Sequence, residues 1–306
     1  MNLLCSLAPK VRAVATSMAF DRNCFLTDNI QTMRWRLEST FSSFYLQDVS
    51  APRSMHCVHG ASSGIGAGTA KLFAQLGALL SLTGRVEENL KKIGEECEKL
   101  SPSHSKPLLV VGDLVNEEDV KRIVDETIKH YGKLDILVNS AGIIELGSIE
   151  ATSLEQYDRV MNTNCRSMYH MTLVCVPHLV QTKGNIVNVS SVNGIRSFPN
   201  VLAYCMSKSA VDQFTRCCAL DLAPKQVRVN SVNPGVIVTE IHKRGGLDEE
   251  AYQKFLERTK FTHALGRPGQ VEEVASMIAF LASDDASFIT GVQIPIDGGR
   301  HAMCPR

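Results

Sequence analysis

The chain predicts a single α/β domain built on a doubly wound, mainly parallel sheet with helices on both faces. Three observations carry this. From residue 78 onward, short apolar runs alternate with longer amphipathic segments, the rhythm of βαβ units. A glycine-rich stretch, Gly60-Ala61-Ser62-Ser63-Gly64-Ile65-Gly66, precedes a segment with helical apolar spacing at Ala70, Phe73, Ala74 and Leu76. The 306 residues, 44% of them apolar, are enough for one large core.

The first strand should lie at 54–58, just before the glycine loop. It is the weakest element: Ser54-Met55-His56-Cys57-Val58 is poor in β-branched residues, and His59 adds a second imidazole. A strand covered on both faces is normally apolar, so two histidines there would be costly unless hydrogen-bonded. The remaining strands are clear apolar runs at 79–83, 108–112, 136–139, 186–190, 227–232 and 292–296. Helical spacing covers 87–100, 117–131, 153–182, 202–223 and 271–283, with Asn116 and Ser153 as N-caps followed by acids. Right-handed crossovers then stack the strands in one sheet. Two stretches break the rhythm. Residues 240–263 contain Gly245-Gly246 and an amphipathic piece, which fits a substrate lid, with a plain surface insertion as the alternative. Residues 1–53 form an N-terminal extension carrying Trp35. Its first twenty positions hold Lys10 and Arg12 but no acid, as in a mitochondrial presequence; a disordered or targeting extension are both open readings.

Lysine plus arginine equals aspartate plus glutamate at 32 each, so no global field favours nucleic acid or an anionic membrane. The ten cysteines are scattered without zinc-ligand spacing, which argues for a reduced intracellular compartment and against a metal site. No apolar run reaches the roughly 18 residues of a membrane span. A soluble, cytoplasmic protein is expected, with the mitochondrion as the alternative.

Two groups of residues carry chemistry. Glycines in the 60–66 loop let the backbone approach a pyrophosphate, whose charge is stabilised by free N–H groups at a helix start. Further along, Tyr204 and Lys208 stand four apart on one helix face, with Ser191 thirteen positions upstream. A lysine ammonium beside a phenol is expected to lower its pKa from about 10 and fit it for proton transfer. A Tyr-x-x-x-Lys pair alone occurs by chance in roughly one chain of this length in two or three, so its weight comes from its surroundings.

Those surroundings resemble the short-chain dehydrogenase/reductase family over about residues 54–299. The matches run in order: the glycine loop, Asp113-Leu114, Asn139-Ser140-Ala141-Gly142, Asn164, Ser191, Tyr204, Lys208, Asn233-Pro234-Gly235 with Ile237 and Thr239, and Ile296-Asp297-Gly298-Gly299. His59 departs from the pattern, since threonine is usual there. The resemblance implies a Rossmann-like fold and a site in which Tyr204 exchanges a proton with the substrate oxygen while hydride passes to or from a nicotinamide. Ser191 would stabilise charge on that oxygen, Lys208 would hold the ribose, and Asn164 would hold a water leading to solvent. Cofactor contacts would come from Gly60, Ser62, Ser63, Gly64, Ile65 and Gly66 at the pyrophosphate, Asp113 and Leu114 at the adenine, and Asn139, Ala141 and Gly142 at the central ribose. Pro234, Gly235, Ile237 and Thr239 would border the carboxamide.

The second strand ends Thr83-Gly84-Arg85, with no carboxylate for a ribose 2′-hydroxyl and an arginine suited to a 2′-phosphate. NADP(H) is favoured, with NAD(H) the alternative, because Ser63 stands where many NADP-dependent relatives carry a second base. The expected activity is that of a carbonyl reductase or secondary-alcohol dehydrogenase, similar to 3-oxoacyl reductases, acting on a small molecule within a homotetramer. The competing reading is a catalytically inert nucleotide-binding scaffold with a damaged first strand.

Overall fold

The structure, a computed structural model, describes residues 54–304. The expectations for residues 1–53 lie outside the described residues. Seven parallel strands form one sheet: β1 (Met55–His59), β2 (Leu79–Gly84), β3 (Leu108–Val111), β4 (Ile136–Asn139), β5 (Asn185–Val189), β6 (Arg228–Pro234) and β7 (Gln293–Ile296), in the order β3-β2-β1-β4-β5-β6-β7. The chain winds outward from β1 to β3, then returns to lay β4 on the other side of β1. That reversal opens a crevice at the carboxyl ends of β1 and β4, where ligands bind in such sheets.

The strands expected from apolar runs all form, within two residues of the expected ends. The helices are α1 (Gly64–Gln75), α2 (Glu87–Leu100), α3 (Glu117–Tyr131), α4 (Leu154–Met161), α5 (Ser167–Thr182), α6 (Leu202–Leu222), α7 (Glu249–Glu257) and α8 (Val271–Ala282), joined by several single turns. Asn116 and Ser153 cap as expected, accepting from the backbone N–H of Glu118 at 2.9 Å and of Gln156 at 3.2 Å. One core packs Phe73, Leu90 and Ile278 from α1, α2 and α8 against Val58, Leu82 and Val138. The other packs Ile123, Met171 and Ala219 from α3, α5 and α6 against Met55, Leu137 and Ile186. Adjacent strand residues point to opposite faces, so Leu137 and Val138 serve different cores. Burying a ring the size of Phe73 contributes about 1.5–3 kcal/mol.

The expectation of a marginal first strand is corrected. All five residues of β1 are buried and paired in register with β2 on one side, and His56 to His59 with β4 on the other. His59 is 1% exposed, but both ring nitrogens have partners: Nε2 bonds Asn139 Oδ1, and Nδ1 accepts from the Ala141 N–H at 3.4 Å. Asn139 passes the chain on, donating to Asn188 Oδ1 at 2.7 Å and Thr172 Oγ1 at 3.1 Å. Asn188 then donates to Thr215 Oγ1 at 2.9 Å. Since His59, Asn139 and Asn188 are register neighbours on β1, β4 and β5, a polar ladder crosses the sheet beneath the crevice. His56 is satisfied only in part. Its Nε2 bonds Ser54 Oγ at 2.8 Å and its ring centre lies 4.3 Å from that of Phe73 in an edge-to-face contact, while Nδ1 has no partner among the described residues.

The expected helix at 153–182 is also corrected. It breaks into α4 and α5 around a π-helical turn, Asn162–Arg166, which contains Asn164. The 240–263 segment folds as the single turns Ile241–Arg244 and Thr259–Thr262 flanking α7, with Gly246 at φ +109° between the first turn and α7.

Candidate active site

A cleft of about 480 Å³ lies over the carboxyl edge of the sheet. Its floor at the β1–β4 crevice is the glycine loop. Gly60 has φ +70°, and a Cβ there would stand 2.7 Å from the Ala141 nitrogen, so only glycine lets β1 and β4 turn this closely together. A Cβ on Gly66 would meet the Gly60 carbonyl oxygen at 2.3 Å, so its bare backbone lets the loop fold onto α1. Ser63 makes no side-chain cap to α1, and the first turn carries no acid. The first N–H groups of α1 therefore face the cleft with the positive end of the helix dipole, a cradle for a phosphate. Thr83 borders the same cleft, and its buried Oγ1 has no partner among the described residues. These features fit a dinucleotide: bare backbone at the loop, free N–H groups at the helix start and an orphaned hydroxyl beside them.

The second group stands on β5 and α6. Ser191 follows β5 in extended conformation and caps the single turn Val192–Ile195; its Oγ accepts from the Asn193 N–H at 3.1 Å. Asn233 holds the Ser191 backbone, donating from Nδ2 to the Ser191 carbonyl at 2.9 Å and to the buried Asp212 carboxylate at 2.9 and 3.0 Å. Tyr204 and Lys208 rise from one face of α6, with Lys208 Nζ 5.7 Å from the Tyr204 ring centre and donating to the Val189 carbonyl at 2.9 Å. Burial pushes the Tyr204 phenol up to about 12, and the Ser191 hydroxyl pulls against that rise. Burial brings the Lys208 ammonium down to about 8, opposed by Cys165 and Asp212. The expected lowering of the phenol pKa by Lys208 is thus corrected. Desolvation wins, and Tyr204 holds its proton at neutral pH.

Of the residues expected at the cofactor and the reaction centre, Gly60, Ser62, Ser63, Gly64, Ile65, Arg85, Asp113, Leu114, Ala141 and Gly142 line the cleft, as do Ser191, Tyr204, Lys208, Pro234, Gly235, Ile237 and Thr239. Gly66, Asn139 and Asn164 sit behind its wall. Asn139 spends its amide on the polar ladder. Asn164 clamps the loop after β4: its Oδ1 accepts from the Ile143 N–H at 2.8 Å, and its Nδ2 donates to the Ile143 carbonyl and to Ser207 Oγ, both at 2.9 Å. Several lining residues carried no sequence signal. Arg244, from the turn Ile241–Arg244, donates to Ser63 Oγ at 3.2 Å, and Phe198, which packs by Tyr204, lines the cleft with Arg258 and Arg300. Arg300 follows Gly298-Gly299 in the matched C-terminal motif, which was the available pointer. Among the described residues no cluster could hold a metal ion, and no helix is long and apolar enough to cross a membrane.

The chain belongs to the short-chain dehydrogenase/reductase family. A family model described as Enoyl-(Acyl carrier protein) reductase matches residues 60–301. The 3-oxoacyl-(acyl-carrier-protein) reductase FabG of Thermotoga maritima is 39% identical over 79% of this chain and 95% of its own length. The meso-2,3-butanediol dehydrogenase of Serratia marcescens is 36% identical over 80% of this chain and 93% of its own. Among solved structures, a short-chain dehydrogenase/reductase of unknown function from Caenorhabditis elegans, crystallised with cofactor, has a TM-score of 0.76 at 36% identity, covering 82% of this chain and 96% of its own. Levodione reductase has a TM-score of 0.77 at 29% identity, covering 82% and 98%. The chain is an NAD(P)-dependent oxidoreductase of this family, acting between alcohol and carbonyl. With β1 intact, the motive for an inert scaffold is gone.

Proposed function

We propose an NADP(H)-dependent carbonyl reductase or secondary-alcohol dehydrogenase in which Tyr204 is the proton donor and acceptor. The observation that carries this reading is the convergence of Ser191, Tyr204 and Lys208 on one cleft with the glycine loop. When bound, the reduced nicotinamide supplies the hydride pair to the carbonyl carbon. Tyr204 gives its phenolic proton to the carbonyl oxygen in reduction and takes it back in oxidation. Ser191 donates to the same oxygen and stabilises the charge that develops there. Lys208 holds the nicotinamide ribose and returns a proton toward Tyr204. Asn164, Asn139 and Gly66 act as positioning residues behind the wall, and residues 240–263 act as a lid that hinges at Gly246.

The preference for NADP(H) rests on Arg85, which is exposed at the cleft margin after β2. Among the described residues Asp113 is the one acid bordering the cleft, where it accepts from the Val115 N–H at 3.1 Å, and no carboxylate pairs with Arg85. A homotetramer would cover Tyr169 and Leu173 on α5 and Leu220 on α6, each more than half exposed. The eight cysteines among the described residues are all free, as suits the reducing cytoplasm.

The test is Tyr204→Phe, which keeps the ring and removes the proton. Turnover of a ketone panel should fall by at least about 10²-fold with NADPH binding little changed. Retained turnover would remove Tyr204 from the mechanism.

A further inference from the structure

We propose that Arg300 and Arg258 form an anion-binding subsite at the substrate end of the cleft, so that the carbonyl substrate carries a carboxylate or phosphate group. The inference rests on the reductase reading above and extends it to the substrate class. Charge along the cleft motivates it. Among the described residues one acid, Asp113, lines it, against Arg85, Lys208, Arg244, Arg258 and Arg300. Arg85 follows β2 and Arg244 bonds Ser63 on the glycine loop, so both belong with the cofactor phosphates, and Lys208 belongs with Tyr204. Arg258 lies in the segment after β6 and Arg300 follows β7, on the opposite side of the crevice in the strand order. No cofactor phosphate accounts for them.

Arg300 is held on an aromatic face rather than in an ion pair among the described residues. The Arg300 guanidinium lies 4.3 Å from the Phe198 ring centre, and Phe198 packs against the cluster of Tyr204, Val201 and Ile144, so one aromatic ring separates the cation from the reacting phenol. The nearest carboxylate, Asp297, is committed elsewhere: it is 5% exposed and accepts from the Gly299 N–H at 3.0 Å, the His301 N–H at 2.6 Å and the His301 ring. Neither arginine has an ion pair among the described residues. Burial pulls the Arg300 pKa below its ordinary value, with the Asp297 charge opposing that drop and the Arg258 charge adding to it. An arginine stacked on an aromatic ring presents its fork outward, the geometry for a bidentate oxyanion.

The experiment compares short oxo acids with their methyl esters and with oxo phosphates of matching length. The acid-to-ester ratio of kcat/KM should be well above one, and both Arg300→Gln and Arg258→Gln should lower it by at least about tenfold. Whether acids or phosphates gain more identifies the oxyanion. A ratio near one, or one that neither substitution moves, overturns the proposal. A second readout separates it from the reductase reading: melting of Tyr204→Phe with NADPH, with and without each ligand. Stabilisation by the oxo acid but not the ester, lost on adding Arg300→Gln, supports the subsite even if no carbonyl is turned over, in which case the reductase reading alone falls. Equal stabilisation by acid and ester overturns the subsite.

Discussion

His56 and His59 are three positions apart on one buried strand, and their replacement should move stability in opposite directions. In His59→Ala, Asn139 Oδ1 and the Ala141 N–H lose their partners together. At about 1–3 kcal/mol for each polar group left unsatisfied, the loss is about 2–6 kcal/mol before any cavity is counted. Domains of this kind are stable by about 5–15 kcal/mol, so this is a large fraction of the whole. In His56→Leu, by contrast, the orphaned Nδ1 is removed, the contact with Phe73 is kept in apolar form, and the part-exposed Ser54 hydroxyl turns to water. A gain of about 1 kcal/mol is expected. Urea unfolding at neutral pH reads both, and the melting temperature should follow at about 2–4 °C per kcal/mol. A His59→Ala loss within about 0.5 kcal/mol of zero, or a loss in His56→Leu, would refute the assignment of satisfied and unsatisfied rings. His59→Thr, the change the family pattern suggests, should also destabilise, since one hydroxyl replaces two ring nitrogens bonded to different elements.

Two further outcomes are expected. Arg85→Ala should raise the apparent KM for NADPH by about tenfold and that for NADH far less, because only a 2′-phosphate loses a charge-assisted partner; equal changes would show that Arg85 is not the reader. Stability should also fall as pH drops from about 6.5 to about 4. Burial holds the imidazoles of His59, His242 and His263 down to about 4 and that of His56 to about 3, so over this window the unfolded chain binds protons that the folded chain does not. The His56→Leu variant should lose less stability than the parent over the same range, and parallel pH profiles in urea would contradict it.

Much of the fold was legible because parallel strands announce themselves as apolar runs. Ile136-Leu137-Val138-Asn139 could be placed to the residue because three consecutive side chains are buried on alternating faces. The glycine loop was legible for a different reason, since Gly60 and Gly66 tolerate no Cβ and the spacing of such positions survives in sequence. The first strand was misread because composition weighs each histidine alone. What makes His59 affordable is a partner 80 positions later on β4, and Asn139 in turn depends on Asn188 and Thr172. No local window contains that ladder.

The cluster of Ser191, Tyr204 and Lys208 shows the same division between residues and their environment. Spacing put Tyr204 and Lys208 on one helix face, where they stand, and from that proximity a lowered phenol pKa followed. The structure places both side chains in a nearly dry site, 8% and 4% exposed, with the ammonium turned to the Val189 carbonyl. Desolvation acts on both groups in the direction of their neutral forms, raising the phenol and lowering the amine, and so opposes the attraction between phenolate and ammonium. Asn164 repeats the lesson in backbone form. A polar residue within a helical run was readable, but the π-helical turn around it was not. In that turn Asn164 meets Ile143 with an N–H and a carbonyl at once, and that pair of bonds ties the loop carrying Gly142 to the helix layer. Gly142 in turn stands beside both Asn164 Oδ1 and Lys208 Nζ, where an added Cβ would lie 3.3 and 3.6 Å away. The clamp therefore fixes the wall that Lys208 faces, through a residue that does not line the cleft.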